Sequence, residues 1–131
     1  ENGACEFHNN KVYAISGGDT EIESVDVTAN GGILKNLTLW SNLKELPQLS
    51  YRVRSTKVTW NINGAPTTVI YIFSGIFFDP LGLVWAFFPD SNIVAAQTNK
   101  LYTFAAAPVF ADTYTNRIYW FGGWGSNYFD W

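Results

Sequence analysis

Cys5 and His8 are the only thiol and the only imidazole in a chain of 131 residues, and they stand three positions apart near the N-terminus. A thiol beside a base can have its pKa lowered and act as a nucleophile. Terminal segments are commonly mobile, so the plainer expectation is a solvated His8 and a Cys5 that serves as a small hydrophobe or links two copies. One His and one Cys cannot complete a four-ligand zinc or iron site, so neither a metal nor a cofactor is expected. Glu21 and Glu23 would share one strand face, but without a pocket to desolvate either they mark a soluble edge rather than a glycosidase acid–base pair. Asp79, Asp90, Asp112 and Asp130 all fall at turn-like positions, where an aspartate ordinarily bonds its own backbone. No catalytic residue is assigned, and a non-enzymatic protein is expected.

Aromatic side chains carry the chemistry that remains. They make up 18% of the chain, while charged residues make up only 15% against a usual share of about 25%. The formal charge of -3 and the absence of any basic run argue against nucleic acid as a partner. Two kinds of contact follow from the rings. If the strands close into a barrel, Tyr51, Trp60, Tyr71 and Phe73 could line an interior that holds a small apolar molecule. Trp85, Phe87, Tyr102 and Trp120 would join them. Alternatively Trp124, Tyr128 and Trp131, set among glycines in the tail, could stack on a saccharide or on a neighbouring subunit. The same tail could instead fold back over an open apolar face.

The elements that must position these rings read as strands. Runs of β-branched and aromatic residues are closed every ten residues or so by Gly, Pro, Asn or Asp, with no repeat or linker between them. The fold class expected is all-β, a single domain over residues 1–131 forming an antiparallel barrel or sandwich of about eight strands, with at most one short helix. The candidate strands are 11–16, 21–28, 37–40, 49–63, the two arms within 69–88, 93–97, 100–105, 109–111 and 117–121. A short helix competes only over 40–46, where Leu43 and Leu46 lie three apart and Pro47 would stop it. Phase changes near Ser24 and at 55–57 call for β-bulges.

Residues 69–88 are almost unbroken in apolar character, yet Asp79-Pro80-Leu81-Gly82 has the residue order of a type I turn, which a membrane helix would not tolerate cheaply. No transmembrane segment is expected. A hairpin about that turn pairs Ile76 with Trp85 and Gly75 with Ala86, and it carries apolar residues on both faces. One face can enter the core; the other must be covered by a second layer, a ligand or another copy. A homo-oligomer joined through 69–88 or through Cys5, or a structural subunit that donates its N-terminal segment 1–10 as a strand, is a further expectation. The chain begins with Glu1 and has no Met, and Asn36-Leu37-Thr38 is a glycosylation sequon. Both point to a secreted protein.

Overall fold

The computed structural model describes residues 3–16, 19–28, 41–45, 51–76, 79–96, 109–122 and 125–130. The protein is all-β, with three antiparallel sheets and no closed barrel among these residues. Eleven strands are described where about eight are expected from sequence. The first sheet is a meander of β1 (Ala4–His8), β2 (Lys11–Ile15), β3 (Glu21–Asp26) and β4 (Ser41–Glu45). The central sheet follows in the same manner, from β5 (Tyr51–Ile62), β6 (Ala65–Ile76), β7 (Asp79–Phe88) and β8 (Ile93–Ala96). The third comprises β9 (Val109–Asp112), β10 (Arg117–Gly122) and β11 (Gly125–Asp130), with β10 in the middle. Among the described residues no helix is long and apolar enough to cross a membrane.

Asparagine makes the corners. Asn9 and Asn10 both have positive φ, 48° and 59°, and form the two-residue loop between β1 and β2. Asn63 (φ 51°) and Gly64 (φ 80°) do the same between β5 and β6. Loops with positive φ at both positions match the natural twist of a hairpin, and Asn and Gly adopt that conformation at least cost. Asn92 and Asn116, also at positive φ, close the turns after β7 and after β9.

The 69–88 segment does double back, but not at its Asp-Pro-Leu-Gly corner. Ile72 pairs with Trp85 and Ile70 with Phe87, four positions from the register expected about that corner, and Ile76 is opposite Asp79. The ladder shifts between Ser74 and Ile76, so that Gly75 faces the stretch Pro80-Leu81-Gly82. A local turn preference has thus been absorbed as an irregularity inside β7, where Pro, lacking an N–H, costs the ladder least. The displacement is an even number of residues. Each side chain therefore keeps its face, and the two-faced apolar character survives the change of register.

Among the described residues that character is satisfied within the chain. Val58, Trp60, Val69, Tyr71, Phe73, Val84 and Ala86 form a core on one face of the central sheet, and Ile118 of β10 and Ala111 of β9 pack against it. On the opposite face Val53, Ile70, Ile72, Trp85 and Phe87 meet Tyr13, Ile15 and Ile22 of the first sheet. The central sheet is the middle layer of three, and its long strands read as near-continuous apolar runs for that reason. At about 25 cal/mol per Å² of apolar surface, full burial of one such large side chain contributes about 1.5–3 kcal/mol before the entropy of ordering it is counted.

Three local expectations are corrected by these ladders. Residues 41–45 are a strand rather than a helix, because their backbone pairs with β3, and tertiary pairing outweighs a weak helical spacing. The ladder of β5 with β6 runs without a shift from Arg54 to Ile62, so there is no bulge at 55–57. The change of phase there reflects a strand buried on both sides: Val53 serves one core, Val58 and Trp60 the other. Near Ser24, β3 pairs regularly with β2, and the shift lies in the β3–β4 ladder between Ile22 and Glu23. The expected strands at 37–40 and 100–105, and the sequon at Asn36, lie outside the described residues.

Candidate functional site

Residues 109–112 and 117–122 alternate, and Ile118 and Ala111, directly opposite each other, point into the core. Their neighbours in sequence must then face away from it. Phe110 pairs with Tyr119, and Asp112 with Arg117, on the outer side of the third sheet. The Phe110 and Tyr119 rings have centroids 6.5 Å apart and are tilted by 32°. Phe110 is 57% exposed, and Tyr114, at the tip of the β9–β10 connection, is 96% exposed. Large apolar rings gathered on one surface in this way mark a contact site more often than scattered single ones do.

The loop that carries Tyr114 is held by Asp112. Its Oδ1 accepts from the Tyr114 N–H at 3.0 Å, and its Oδ2 accepts from the Thr115 hydroxyl at 2.6 Å. The Thr115 hydrogen bond, chiefly, and the nearby Arg117 hold the Asp112 carboxyl below the usual carboxylate range. Asp112 behaves as an aspartate at a turn is expected to behave, and it leaves an ionised carboxylate beside the rings.

The third strand, β11, continues the ladder. In the β10–β11 ladder Tyr119 is opposite Tyr128 and Arg117 is opposite Asp130. Across the three strands the register therefore reads Phe110, Tyr119, Tyr128 in one row and Asp112, Arg117, Asp130 in the next. Of the tail residues singled out from sequence, Tyr128 takes its place in this row by backbone register, whereas Trp124 and Trp131 lie outside the described residues. Sequence reasoning missed Phe110, Tyr114 and Tyr119. The available signal was the alternation at 117–121, which assigns Arg117, Tyr119 and Phe121 to the face opposite Ile118.

The rings expected to line one barrel interior are divided between two cores. Trp60, Tyr71 and Phe73 lie on one side of the central sheet, Trp85 and Phe87 on the other. The cause is the pairing of odd positions of β6 with even positions of β7, which sends Tyr71 and Trp85 to opposite faces. Trp120 is in β10, Tyr51 is in β5, and Tyr102 lies outside the described residues. Within the first of these cores the Trp60 Nε1–H donates to the Tyr71 hydroxyl at 3.0 Å. Burial drives the Tyr71 pKa far above the ordinary tyrosine range, opposed in part by that hydrogen bond. In the second core Tyr13 and Phe87 meet edge to face at 5.7 Å. Among the described residues, Nε1 of Trp85 is a buried donor with no acceptor.

His8 is not a solvated terminal residue. Its Nε2 lies 2.8 Å from Oδ1 of Asp90, and the Asn9 amide donates to the same oxygen at 3.0 Å. Asp90 thus ties the first hairpin to the turn after β7 instead of serving its own backbone. Next to it the Ser55 hydroxyl donates to Glu6 at 2.7 Å, and Lys57 Nζ donates to the Phe7 carbonyl. Segment 4–8 is paired with β2 in its own sheet, and the lysine contact occupies a carbonyl of its outer edge, a familiar guard against strand addition. Cys5 is exposed, and alternation along β1 puts it on the face opposite His8, so the two do not form a thiol–imidazole pair. Among the described residues no three His, Cys, Asp or Glu side chains gather as a metal site would need.

No protein-family model matches the chain, and no curated protein matches its sequence.

Proposed function

We propose that the protein is an exported, non-catalytic binding module whose contact surface is the outer face of β9 and β10, and that its ligand is a saccharide. The observation that carries this is the exposed Phe110 set against the half-buried Tyr119, with the exposed Tyr114 on the loop that joins their strands and Asp112 and Arg117 in the next row of the ladder. A sugar ring has an apolar face and a rim of hydroxyls. Aromatic rings suit the first, and ionised or amide groups next to them suit the second.

The test is affinity gel electrophoresis of the full chain through a panel of polysaccharides, with the Phe110→Ala/Tyr119→Ala double variant beside it. Loss of two ring contacts at about 0.5–1.5 kcal/mol each should weaken retention by about tenfold while the thermal midpoint stays close to that of the parent. Retention by none of the panel, or equal retention of the variant, refutes the assignment.

A second function has its own observation. The orphan donor Trp85 Nε1, buried between the first and central sheets, would suit an apolar molecule bearing a single hydrogen-bond acceptor. Native mass spectrometry of protein from its own source would then show an apolar adduct that the Trp85→Phe variant loses.

A further inference from the structure

The loop between β5 and β6 contains a peptide bond that can rearrange without an enzyme. Asn63 and Gly64 are both exposed, at φ 51° and 80°, and they join the two longest of the described strands. An asparagine that precedes glycine is open to attack on its own side-chain amide, because glycine has no side chain to shield its backbone nitrogen. A Cβ added at Gly64 would meet no heavy atom within 4 Å beyond its chain neighbours. Asn9, Asn61, Asn92 and Asn116 are followed by the bulkier Asn10, Ile62, Ile93 and Arg117. Asn2 and Asn30 also precede glycine and lie outside the described residues. The fold bears on whether the attack takes place. Positive φ at both positions of a two-residue loop marks a type I′ turn. The first residue of such a turn has a ψ of about 30°. For an L-residue that ψ sets the following nitrogen almost opposite Cβ about the Cα–C bond, whereas ring closure needs the two eclipsed. The Gly64 nitrogen is thus held away from the carbon it would attack, and the turn must open first. Opening there is local: Asn61, Ala65 and Pro66 are exposed and Ile62 is half-buried, while the core begins at Trp60 and Thr68.

We propose that Asn63 is a site of spontaneous deamidation whose rate is set by opening of the β5–β6 turn. The Gly64 nitrogen attacks Asn63 Cγ and forms a new N–C bond; its proton passes to the departing amide nitrogen, which leaves as ammonia. Water then opens the resulting cyclic imide at either carbonyl, and no oxidant or reductant takes part. Opening at one carbonyl yields aspartate, at the other isoaspartate. Asp-Gly suits a type I′ turn as Asn-Gly does, so aspartate keeps the hairpin. Isoaspartate carries the main chain through Cβ and Cγ, one atom longer, and cannot close the same two-residue loop in the same register.

The experiment keeps the full chain at mildly alkaline pH, folded or in urea, and follows it by peptide mass spectrometry with electron-transfer fragmentation, which separates aspartate from isoaspartate. In urea, Asn63 should convert ahead of Asn9, Asn61, Asn92 and Asn116, and Gly64→Ala, compared in the same unfolded state, should remove most of that conversion. The folded chain should show the same order, with Asn63 slowed at least about tenfold. Equal rates at Asn63 in the folded and unfolded chain overturn control by the turn. Earlier conversion at any of the other four asparagines overturns the assignment of the site. Of the separated products, the isoaspartate form should melt below the parent and Asn63→Asp close to it; equal midpoints for all three overturn the consequence drawn for the hairpin.

Discussion

At the scale of single residues, burial decides what each aromatic side chain can do. Tyr71 and Tyr119 are both tyrosines on strands, yet Tyr71 is enclosed with Trp60, while Tyr119 lies on the outer face beside Phe110. Burial raises the Tyr71 pKa, and it raises that of Tyr13 too, with the charge of Asp90 adding to it. A folded-state pKa above the unfolded one means that the protonated tyrosine favours the fold. This stabilisation is complete below the unfolded value of about 10 and is lost as pH climbs through the higher folded values. The thermal midpoint, followed from pH 7 to pH 11, should therefore hold steady at first and fall above about pH 10. Tyr71→Phe should soften that alkaline fall, and at neutral pH it should cost about 1–3 kcal/mol by taking an acceptor from the buried Trp60 donor. A midpoint that is level up to pH 11 in both proteins would contradict the burial of Tyr71.

At the scale of elements, alternation was legible wherever a strand had one wet face or two dry ones. β2, β3, β8, β9 and β10 follow the residues that the apolar pattern marks, and the two arms of the 69–88 hairpin are where their composition puts them. What the sequence could not convey was which local signal would win. Asp79-Pro80-Leu81-Gly82 has the better turn residues, but turning there would have cost the ladder that buries Val69 to Phe73 against Val84 to Phe87. Asn63-Gly64, a strong hairpin signal, was hidden because Ala65-Pro66-Thr67-Thr68 after it lacks the apolar alternation that marks the start of a strand. β1 and β11 were obscured by position and by glycine. The joint between the first and central sheets is also an element-scale device, carried by Asp90 and its two donors. Since that carboxylate is largely exposed, Asp90→Ala should lower stability by only about 1 kcal/mol in urea denaturation. A loss of several kcal/mol would mean that the clasp, rather than the Tyr13–Phe87 packing beneath it, holds the two sheets together.

At the scale of the whole molecule, three consecutive meanders stack so that the greasiest strands are sheathed on both sides by their own chain. Sequence alone posed the question of what covers the second face of the hairpin, and admitted a ligand, a partner or a further layer. The structure answers with a further layer, over Val69–Phe73 and Val84–Phe87. Over those residues the need for shielding no longer argues for an oligomer, and among the described residues exposed rings stand on the third sheet and its loop, at Phe110 and Tyr114, and at Phe7 of β1. The rings of the inner cores were visible from composition; that Phe110, Tyr119 and Tyr128 share one row depends on the register of two successive hairpins, which alternation within a single strand does not set.

The claim that contact is made on this outer face, and not between the sheets, is tested most directly by mapping a bound oligosaccharide with nuclear magnetic resonance chemical-shift changes. Residues 110, 112, 114, 117 and 119 should move together as ligand is added, while Tyr13, Trp85 and Phe87 stay in place. Changes confined to the Tyr13–Trp85–Phe87 side of the central sheet would contradict the account and point instead to a ligand held in the core.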